Sequence, residues 1–343
     1  MTQAHESVLL RLLQSERDIR PPPWLTGAVH IHPALKAEIG NTASRAVMAM
    51  ALNLYLLADL LGRVPTGRQY MRELAAAGRQ MTFDHGALRT VDLMGMGTLP
   101  AGERAITRIL EPLGYRQTGL YPLDALKMTG RSYTHVDFPE NVPQFFVSEL
   151  HPARFSTSFQ AAVARLTENS LDPLDAADMR LLDRLSADAK LLVSDAARLL
   201  PKLTACFMRQ HPHPSLADYE CVRAESAEMA WIATEGNAFN HATDRVASLE
   251  ALVSEQRSLN RPLKDKIEVS RSGSVRQTAF RADPVERIFI DAQGREIPRQ
   301  VPGSFFEFIQ RDRICDAASG QDRLDLGFDS GNAQGIFKMT TAA

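Results

Sequence analysis

Cysteine is scarce in this chain, and no two cysteines have the spacing of a metal-binding pair. The 343 residues contain only Cys206, Cys221 and Cys315. An odd number of widely separated cysteines without a CxxC pair argues against a disulfide framework or a thiolate zinc site. The sequence therefore predicts reduced thiols in a cytoplasmic protein.

An excess of charge of either sign is also absent. The chain has 39 Lys and Arg against 41 Asp and Glu, a formal net charge of −2, and no basic run. Such a surface does not attract nucleic acid or an anionic membrane. We therefore expect neither as a partner.

A clear membrane-spanning stretch is missing as well. The most apolar segment, AVMAMALNLYLLADLLG at 46–62, is interrupted by Asn53 and Asp59 and is short for a bilayer. The N-terminus carries acidic residues among its apolar ones and lacks a signal-peptide core. These patterns favour a buried helix in a soluble, cytoplasmic protein.

The chain alternates between helical and strand-like regions. Helical apolar spacing dominates 1–80 and returns as an insertion over 155–236, whereas 81–154 and 237–343 each show strand, helix and further strands. We therefore predict an α+β fold with two β-α-β-β-β units that form a cupped sheet. We expect N-terminal helices and the helical insertion to accompany the units in one compact domain.

The two units share start and end signals. TFDHGALRTV begins the first unit and AFNHATDRVA lies at the start of the second, and both contain Phe, one residue, His and then Arg four residues later: Phe83, His85, Arg89 and Phe239, His241, Arg245. Both units also end on a Phe-Phe strand, PQFFVSEL at 143–150 and GSFFEFIQ at 303–310. This correspondence indicates an internal duplication of architecture.

The duplication suggests a metal site. His85 and His241 near the start of each unit and Glu307 near the end of the second supply two imidazoles and one carboxylate. This facial triad suits non-haem Fe(II), because it leaves three coordination positions open. A charged Glu307 between Phe306 and Phe308 is costly to bury unless it is paired or bound to metal. The alternative is that strand alternation turns Glu307 to solvent while its Phe neighbours face the core.

These features resemble the vicinal-oxygen-chelate superfamily, which contains glyoxalases and extradiol dioxygenases. SFFEFIQRD is similar to the ligand-bearing strand of its 4-hydroxyphenylpyruvate dioxygenase branch. FDHGALRTV, QFFVSELHP, NAFNHATDRV and LKDKIEVSRSGSVRQTAF together resemble the DUF1338 family, over residues 25 to 340. The characterised members of that family are 2-oxoadipate dioxygenase/decarboxylases, also called hydroxyglutarate synthases.

The resemblance implies roles for individual residues. The iron ligands fall on His85, His241 and Glu307, with O2 as cosubstrate. Arg89 falls on the arginine that grips a substrate carboxylate, as a guanidinium fork can do with two parallel hydrogen bonds. A surface salt bridge is the alternative for Arg89. Gln277 and Glu149 are weaker candidates for substrate contacts, and Glu149 is equally compatible with a structural role.

The implied reaction is the Fe(II)-dependent conversion of a 2-oxo dicarboxylic acid, such as 2-oxoadipate, to a hydroxy acid one carbon shorter plus CO2. The segment LGFDSGNAQGIFKM at 326–339 resembles the closing segment of the dioxygenase branch. The C-terminal extension through which longer bacterial members contact the substrate has no visible counterpart, which leaves the exact 2-oxo acid open. Two alternatives remain: an isomerase or lyase that uses Zn, Ni or Mn as a Lewis acid, and a non-enzymatic ligand-binding protein.

Overall fold

The computed structural model describes residues 6–15, 21–315 and 320–331. The helices in these ranges are α1 (Val8–Ser15), α2 (Pro23–Ala28), α3 (Pro33–Ala37), α4 (Arg45–Arg63), α5 (Pro65–Ala76), α6 (Arg104–Leu110), α7 (Thr157–Thr167), α8 (Ala176–Asp188), α9 (Val193–Ala205), α10 (Leu216–Glu225), α11 (Ala227–Glu235) and α12 (Leu249–Ser258). The strands are β1 (Thr42–Ser44), β2 (Phe83–Val91), β3 (Tyr115–Leu123), β4 (Met128–His135), β5 (Gln144–Leu150), β6 (Lys190–Leu192), β7 (His241–Arg245), β8 (Glu268–Val269), β9 (Val275–Ala279), β10 (Pro284–Ile290), β11 (Glu296–Pro302), β12 (Phe305–Arg311), β13 (Arg313–Cys315) and β14 (Asp322–Leu324).

The main sheet has eight strands in the order β3-β4-β5-β2-β7-β12-β9-β8 and is strongly curled. Its two central strands, β2 and β7, pair antiparallel, and each pairs parallel on its outer side, β2 with β5 and β7 with β12. The first half is therefore β2-α6-β3-β4-β5, and the second is β7-α12-β8-β9-β12. This arrangement confirms the predicted α+β class with two β-α-β-β-β units.

The pairing register relates the two halves by a local twofold pattern. His85 lies opposite Thr243, and His241 lies opposite Ala87. Exchanging the two strands therefore exchanges His85 with His241, and Arg89 with Arg245. The repeated sequence motif thus corresponds to equivalent positions in the fold.

One predicted strand has a different partner from the one expected. The segment RIFIDAQG, at 287–294, follows the helix of the second unit, and its apolar residues predict a further strand of that unit's sheet. Its strand β10 instead pairs with β11 in a separate hairpin, inserted between β9 and β12. Such an insertion leaves the sheet order intact, because β9 still pairs directly with β12.

The helices cover the sheet and supply much of the core. Helix α4 is the one helix in the described ranges that is long and apolar enough to cross a membrane, and 78% of its most apolar window is buried inside the fold. Its N-terminus is capped by the Ser44 hydroxyl, which accepts from the Val47 amide. The polar Asn53 in its centre bonds the Ala49 carbonyl and the Tyr115 hydroxyl. The apolar segment is thus a core helix, as its interrupted sequence predicts.

Strand β2 is more deeply buried than its alternating sequence suggests. All nine of its residues are buried, although alternation is typical of a strand with one face in solvent. One face packs into the core through Leu88, and the other, with His85, Ala87 and Arg89, lines a cavity. The polar residues of this face are therefore turned to the interior of the curled sheet.

Candidate metal centre

The register of three neighbouring strands brings His85, His241 and Glu307 together. Thr243 on β7 lies opposite His85 of β2 and, on its other side, opposite Glu307 of β12. His241 precedes Thr243 by two residues, so its side chain projects from the same face. Three strands therefore present their donor side chains to one point.

The donor atoms are close and buried. Glu307 Oε2 lies 3.2 Å from His85 Nε2 and 3.5 Å from His241 Nε2. One ligand atom from each of the three residues lies within 4.8 Å of the other two. The imidazole centroids are 5.6 Å apart with the rings nearly perpendicular. Two imidazole nitrogens and a carboxylate oxygen at this separation match the donor set of a mononuclear divalent metal site.

Outer contacts orient both imidazoles. His85 Nδ1 lies 2.8 Å from Asp84 Oδ1, and His241 Nδ1 lies 3.1 Å from Asn240 Oδ1. Because these oxygens accept hydrogen bonds, each Nδ1 carries a proton, and in the neutral form of each ring Nε2 directs its lone pair toward the centre. This is the tautomer that a metal requires.

Glu307 is held by one oxygen and leaves the other available. The Thr243 hydroxyl donates to its Oε2 at 2.6 Å. Its Oε1 is buried and has no hydrogen-bond partner among the described residues. A buried carboxylate oxygen without a donor is costly, and a metal ion or a bound ligand would satisfy it.

The charges favour a cation at this point. Burial raises the pKa of Glu307, but the imidazoles of His241 and His85 and the Thr243 hydroxyl lower it more, so the net pKa lies below the usual value. Burial lowers the pKa of His241 to about 3, which leaves it neutral. Burial lowers the pKa of His85 too, but Asp84 and Glu307 more than reverse this, and the net pKa is raised. Neutral His241 and ionised Glu307 are the forms that bind a metal, so the donor set fits one.

A cavity lined by His85 and His241, two of the three donors, has about 450 Å³ of empty space, open solvent included. Its wall combines apolar surface with a few polar groups, as small-molecule sites do. The apolar members are Ala87, Leu88, Phe146 and Phe328, and the polar ones are Arg89, Ser148, Asn240, Gln277 and Asp329, beside His85 and His241.

Arg89 lies in the cavity wall, on the same strand face as His85. Its Nη2 lies 2.5 Å from Glu228 Oε2, and its guanidinium stacks over Trp231 at 4.6 Å. Both partners belong to α11, the last helix of the insertion. Arg89 is thus an interior residue, and the alternative of a surface salt bridge is wrong.

The two weaker candidates lie in different places. Gln277 lines the cavity, with its Nε2 3.5 Å from Glu268 Oε2. Glu149 is not among the lining residues; it bonds Arg131 at 2.9 Å and the Glu103 amide at 2.8 Å. The structure therefore gives Glu149 the role of a structural acceptor.

Aligning the Phe-Phe pairs of the two units puts Val147 in the place of Glu307 and Glu149 two residues beyond it, but the strand register differs from this alignment by one residue. In the second unit His241 lies opposite Phe305, two residues before Glu307, whereas in the first unit His85 lies opposite Gln144. The counterpart of Glu307 is therefore Phe146, which lines the cavity, and not Val147. A shift of one residue turns Glu149 to the opposite face of β5.

Several site residues were missed by the sequence analysis: Asp84, Asn240, Thr243 and Arg311. Two of them carried a signal, because the repeated motif is Phe, then Asp or Asn, then His. A hydrogen-bond acceptor directly before each histidine is the outer contact that a metal ligand needs. Thr243 and Arg311 depend on strand register, which the sequence does not display.

Comparisons with known proteins agree on the family. A family model described as 2-oxoadipate dioxygenase/decarboxylase matches residues 57–326, most of the chain. The chain belongs to the 2-oxoadipate dioxygenase/decarboxylase family. A chloroplastic 2-oxoadipate dioxygenase/decarboxylase of Arabidopsis thaliana is 24% identical over 311 residues, which cover 82% of this chain and 74% of the relative.

Solved structures show the same fold. A protein from Ralstonia eutropha JMP134 assigned to the glyoxalase superfamily is 54% identical with a TM-score of 0.89, over 94% of this chain and 99% of that one. The hydroxyglutarate synthase of Oryza sativa, solved in complex with 2-oxoadipate, is 19% identical with a TM-score of 0.66, over 95% of this chain and 98% of that one. The glyoxalase-like fold expected from the duplicated units is therefore confirmed.

Proposed function

We propose that this protein is an Fe(II)-dependent dioxygenase and decarboxylase of a 2-oxo dicarboxylic acid. The observation that carries the proposal is the convergence of His85, His241 and Glu307. Two of the three donors, the histidines, line a cavity whose wall also contains Arg89. Membership of the 2-oxoadipate dioxygenase/decarboxylase family supports the reaction type. The solved complex of a relative with 2-oxoadipate supports the substrate class.

The three donors would hold the iron on one side and leave the cavity side open. Bound Fe(II) would supply the activation of dioxygen and the coordination positions for the carboxylate and keto oxygens of a 2-oxo acid. The chain's own contribution is to orient the donors. Asp84 and Asn240 fix the imidazole tautomers, and Thr243 holds one oxygen of Glu307.

The polar residues of the wall would orient the substrate. Arg89 would bind the second carboxylate, for which a guanidinium is the suitable partner. The Asn240 Nδ2 group is buried and has no hydrogen-bond partner among the described residues, so it can donate to the anion bound next to the metal. Phe146 and Phe328 would exclude water from the reacting carbon.

For 2-oxoadipate the balanced reaction consumes one O2 and gives 2-hydroxyglutarate and one CO2. One oxygen atom enters the new carboxylate and the other enters the hydroxyl group, while CO2 leaves from the original carboxylate. Decarboxylation thus supplies the electrons for the hydroxylation, and no second organic reductant is needed. A single substrate matches a single compact cavity.

The test is turnover of 2-oxo acids by the metal-free protein reloaded with Fe(II), followed with an oxygen electrode and mass spectrometry under 18O2. We expect one O2 consumed per CO2 released, and label in the hydroxy acid. The E307A and H241A variants serve as controls and should lose both metal and turnover. Turnover that persists without oxygen, or with Zn in place of iron, would instead identify the isomerase or lyase alternative. A failure to turn over any 2-oxo acid while binding one would identify the ligand-binding alternative.

A further inference from the structure

We infer that Arg311 is a positioning residue that couples residues 325–329, a segment that contributes Phe328 and Asp329 to the cavity wall, to the orientation of the metal ligand His85. The inference rests on the proposed function for the presence of a metal. It assigns a new role to a residue outside the donor set and the cavity wall.

On one side Arg311 holds the outer partner of His85. Its Nε donates to Asp84 Oδ2 at 2.9 Å, and its Nη2 donates to Asp84 Oδ1 at 2.9 Å. The same Oδ1 accepts from His85 Nδ1. The side chains of Arg311 and Asp84 are 0% and 1% exposed, so this ion pair is buried. The Asp84 carboxylate therefore needs Arg311 as its counter-charge.

On its other side Arg311 holds the segment 325–329. Its Nη1 donates to the carbonyls of Asp325 at 2.8 Å and Gly327 at 2.7 Å. The Phe328 ring stacks on its guanidinium at 4.9 Å. One planar group therefore binds both the segment and Asp84, which a lysine ammonium cannot do with the same geometry.

Phe328 connects the segment to His85 directly. Its ring lies edge-on to His85 at 4.9 Å and lines the cavity, and its amide donates to the Tyr121 hydroxyl at 3.2 Å. If the segment moves away, Arg311 loses two acceptors and an aromatic neighbour, and the support of Asp84 and His85 changes with it. Coupling of this kind is reciprocal, so metal binding at His85 should in turn order residues 325–329.

The test uses R311K, which retains the charge but removes the fork. Binding of Co2+ and Zn2+ is measured by competition, together with the visible spectrum of the Co2+ protein and hydrogen exchange of peptides that contain Phe328. In the unmodified protein we expect metal to slow this exchange. In R311K we expect a loss of metal affinity of about 10- to 100-fold, the usual effect of removing an outer contact, and no effect of metal on the exchange.

The matched control is R313K, the same substitution two residues on. Arg313 binds Asp322 at 2.6 Å and Glu140 at 3.3 Å, and is half exposed, so it holds the same C-terminal region without contacting Asp84. R313K should keep both the metal affinity and the effect of metal on exchange. If R311K does not fold, F328A replaces it, because it removes the ring from Arg311 and His85 and leaves the buried ion pair intact.

The possible failures are distinguishable because neither measurement needs substrate or oxygen. If the unmodified protein binds no metal, the proposed function fails and this inference fails with it. If the unmodified protein binds metal, and R311K or F328A binds it within about twofold with the same metal-dependent exchange, only the role of Arg311 is refuted.

Discussion

At the scale of single residues, the site depends on side chains that are not themselves metal donors. Thr243 lies opposite His85 on one side and Glu307 on the other, and its hydroxyl bonds Glu307. Asp84 and Asn240 occupy equivalent places before the two histidines but differ in charge. The carboxylate strengthens His85 as a donor, and the amide leaves an N–H group for the cavity.

Arg89 is tested with its partner rather than alone. Removing only the guanidinium would leave the Glu228 carboxylate buried beside Trp231, so the paired variant R89M/E228Q is the cleaner change. We expect kcat/KM for a dicarboxylic 2-oxo acid to fall about 30- to 1000-fold, because a desolvated charge-assisted contact is lost. The metal content and the turnover of a monocarboxylic 2-oxo acid should change little. Equal losses on both substrates would show that Arg89 supports the fold or the metal.

The amide of Asn240 gives a second prediction. In N240D one oxygen still accepts from His241 Nδ1, but the group facing the cavity becomes a carboxylate oxygen. We expect the Kd of the 2-oxo acid, measured by anaerobic calorimetry on the metal-loaded protein, to rise about 10- to 100-fold through like-charge repulsion. Metal affinity should be retained. N240A, which removes both functions, should weaken metal and substrate together; unchanged substrate binding in N240D would show that the amide does not reach the anion.

At the scale of elements, there is very little free space between β2 and the residues that lead into β7. A Cβ on Gly86 would lie 2.2 Å from Phe239 Cζ, and this ring packs in the core. Gly86 lies in β2, and Phe239 lies two residues before β7. Close contact between the halves therefore requires glycine at this position.

The G86A variant tests this contact. Phe239 must move to admit the methyl group, and we expect the free energy of unfolding to fall by about 1–3 kcal/mol, as overpacking usually costs. Metal affinity should fall with it, since His85 directly precedes Gly86 on β2. G62A is the control, because nothing lies within 4 Å of the added Cβ and alanine favours a helix. Denaturant unfolding and metal titration measure both; equal stability of the two variants would refute the close packing.

Strand register and helix contacts determine which site residues could be predicted from the sequence alone. His85, His241 and Glu307 were predictable because each stands in a repeated start or end signal. Glu149 was misplaced because the Phe-Phe pair is displaced by one position in the strand register. The contact of Arg89 with Glu228 joins a strand to a helix of the insertion, and no local pattern encodes such a contact. The LGFDSGNAQGIFKM segment is described through residue 331, where Phe328 reaches His85; the rest of it lies outside the described residues.

At the scale of the whole molecule, buried neutral histidines should set the acid limit of stability. Burial lowers the pKa of His135 to about 4 and that of His211 to about 4. Nδ1 of His135 accepts from the amides of Asp137 and Phe138, and Nε2 of His211 bonds the Ala233 carbonyl. The His135 contacts require a neutral ring, because Nδ1 accepts in both of them. His211 donates to the carbonyl in either form, and burial is what keeps its ring neutral. Protonation of either ring therefore opposes the fold.

The sign of the pH effect follows from these pKa values. Between about pH 6.5 and pH 4 the unfolded chain binds more protons at these histidines than the folded one, so stability falls as the pH falls. Each residue can contribute up to about 3 kcal/mol over this window. H135N keeps an acceptor for the two amides and does not titrate, so its stability should depend less on pH. Urea unfolding at several pH values measures the difference, and parallel curves for the two proteins would refute the role of His135.

The pairing of His85 with Thr243 and of His241 with Ala87 has a consequence for how the fold can be monitored. A slip of β2 against β7 by a single position would turn one imidazole to the opposite side of the sheet, while most backbone hydrogen bonds could form again. Circular dichroism would barely report such an error. Metal binding would detect it, because the proposed site needs both imidazoles on the same side of the sheet. Metal affinity would therefore test whether the two halves are paired in the correct register.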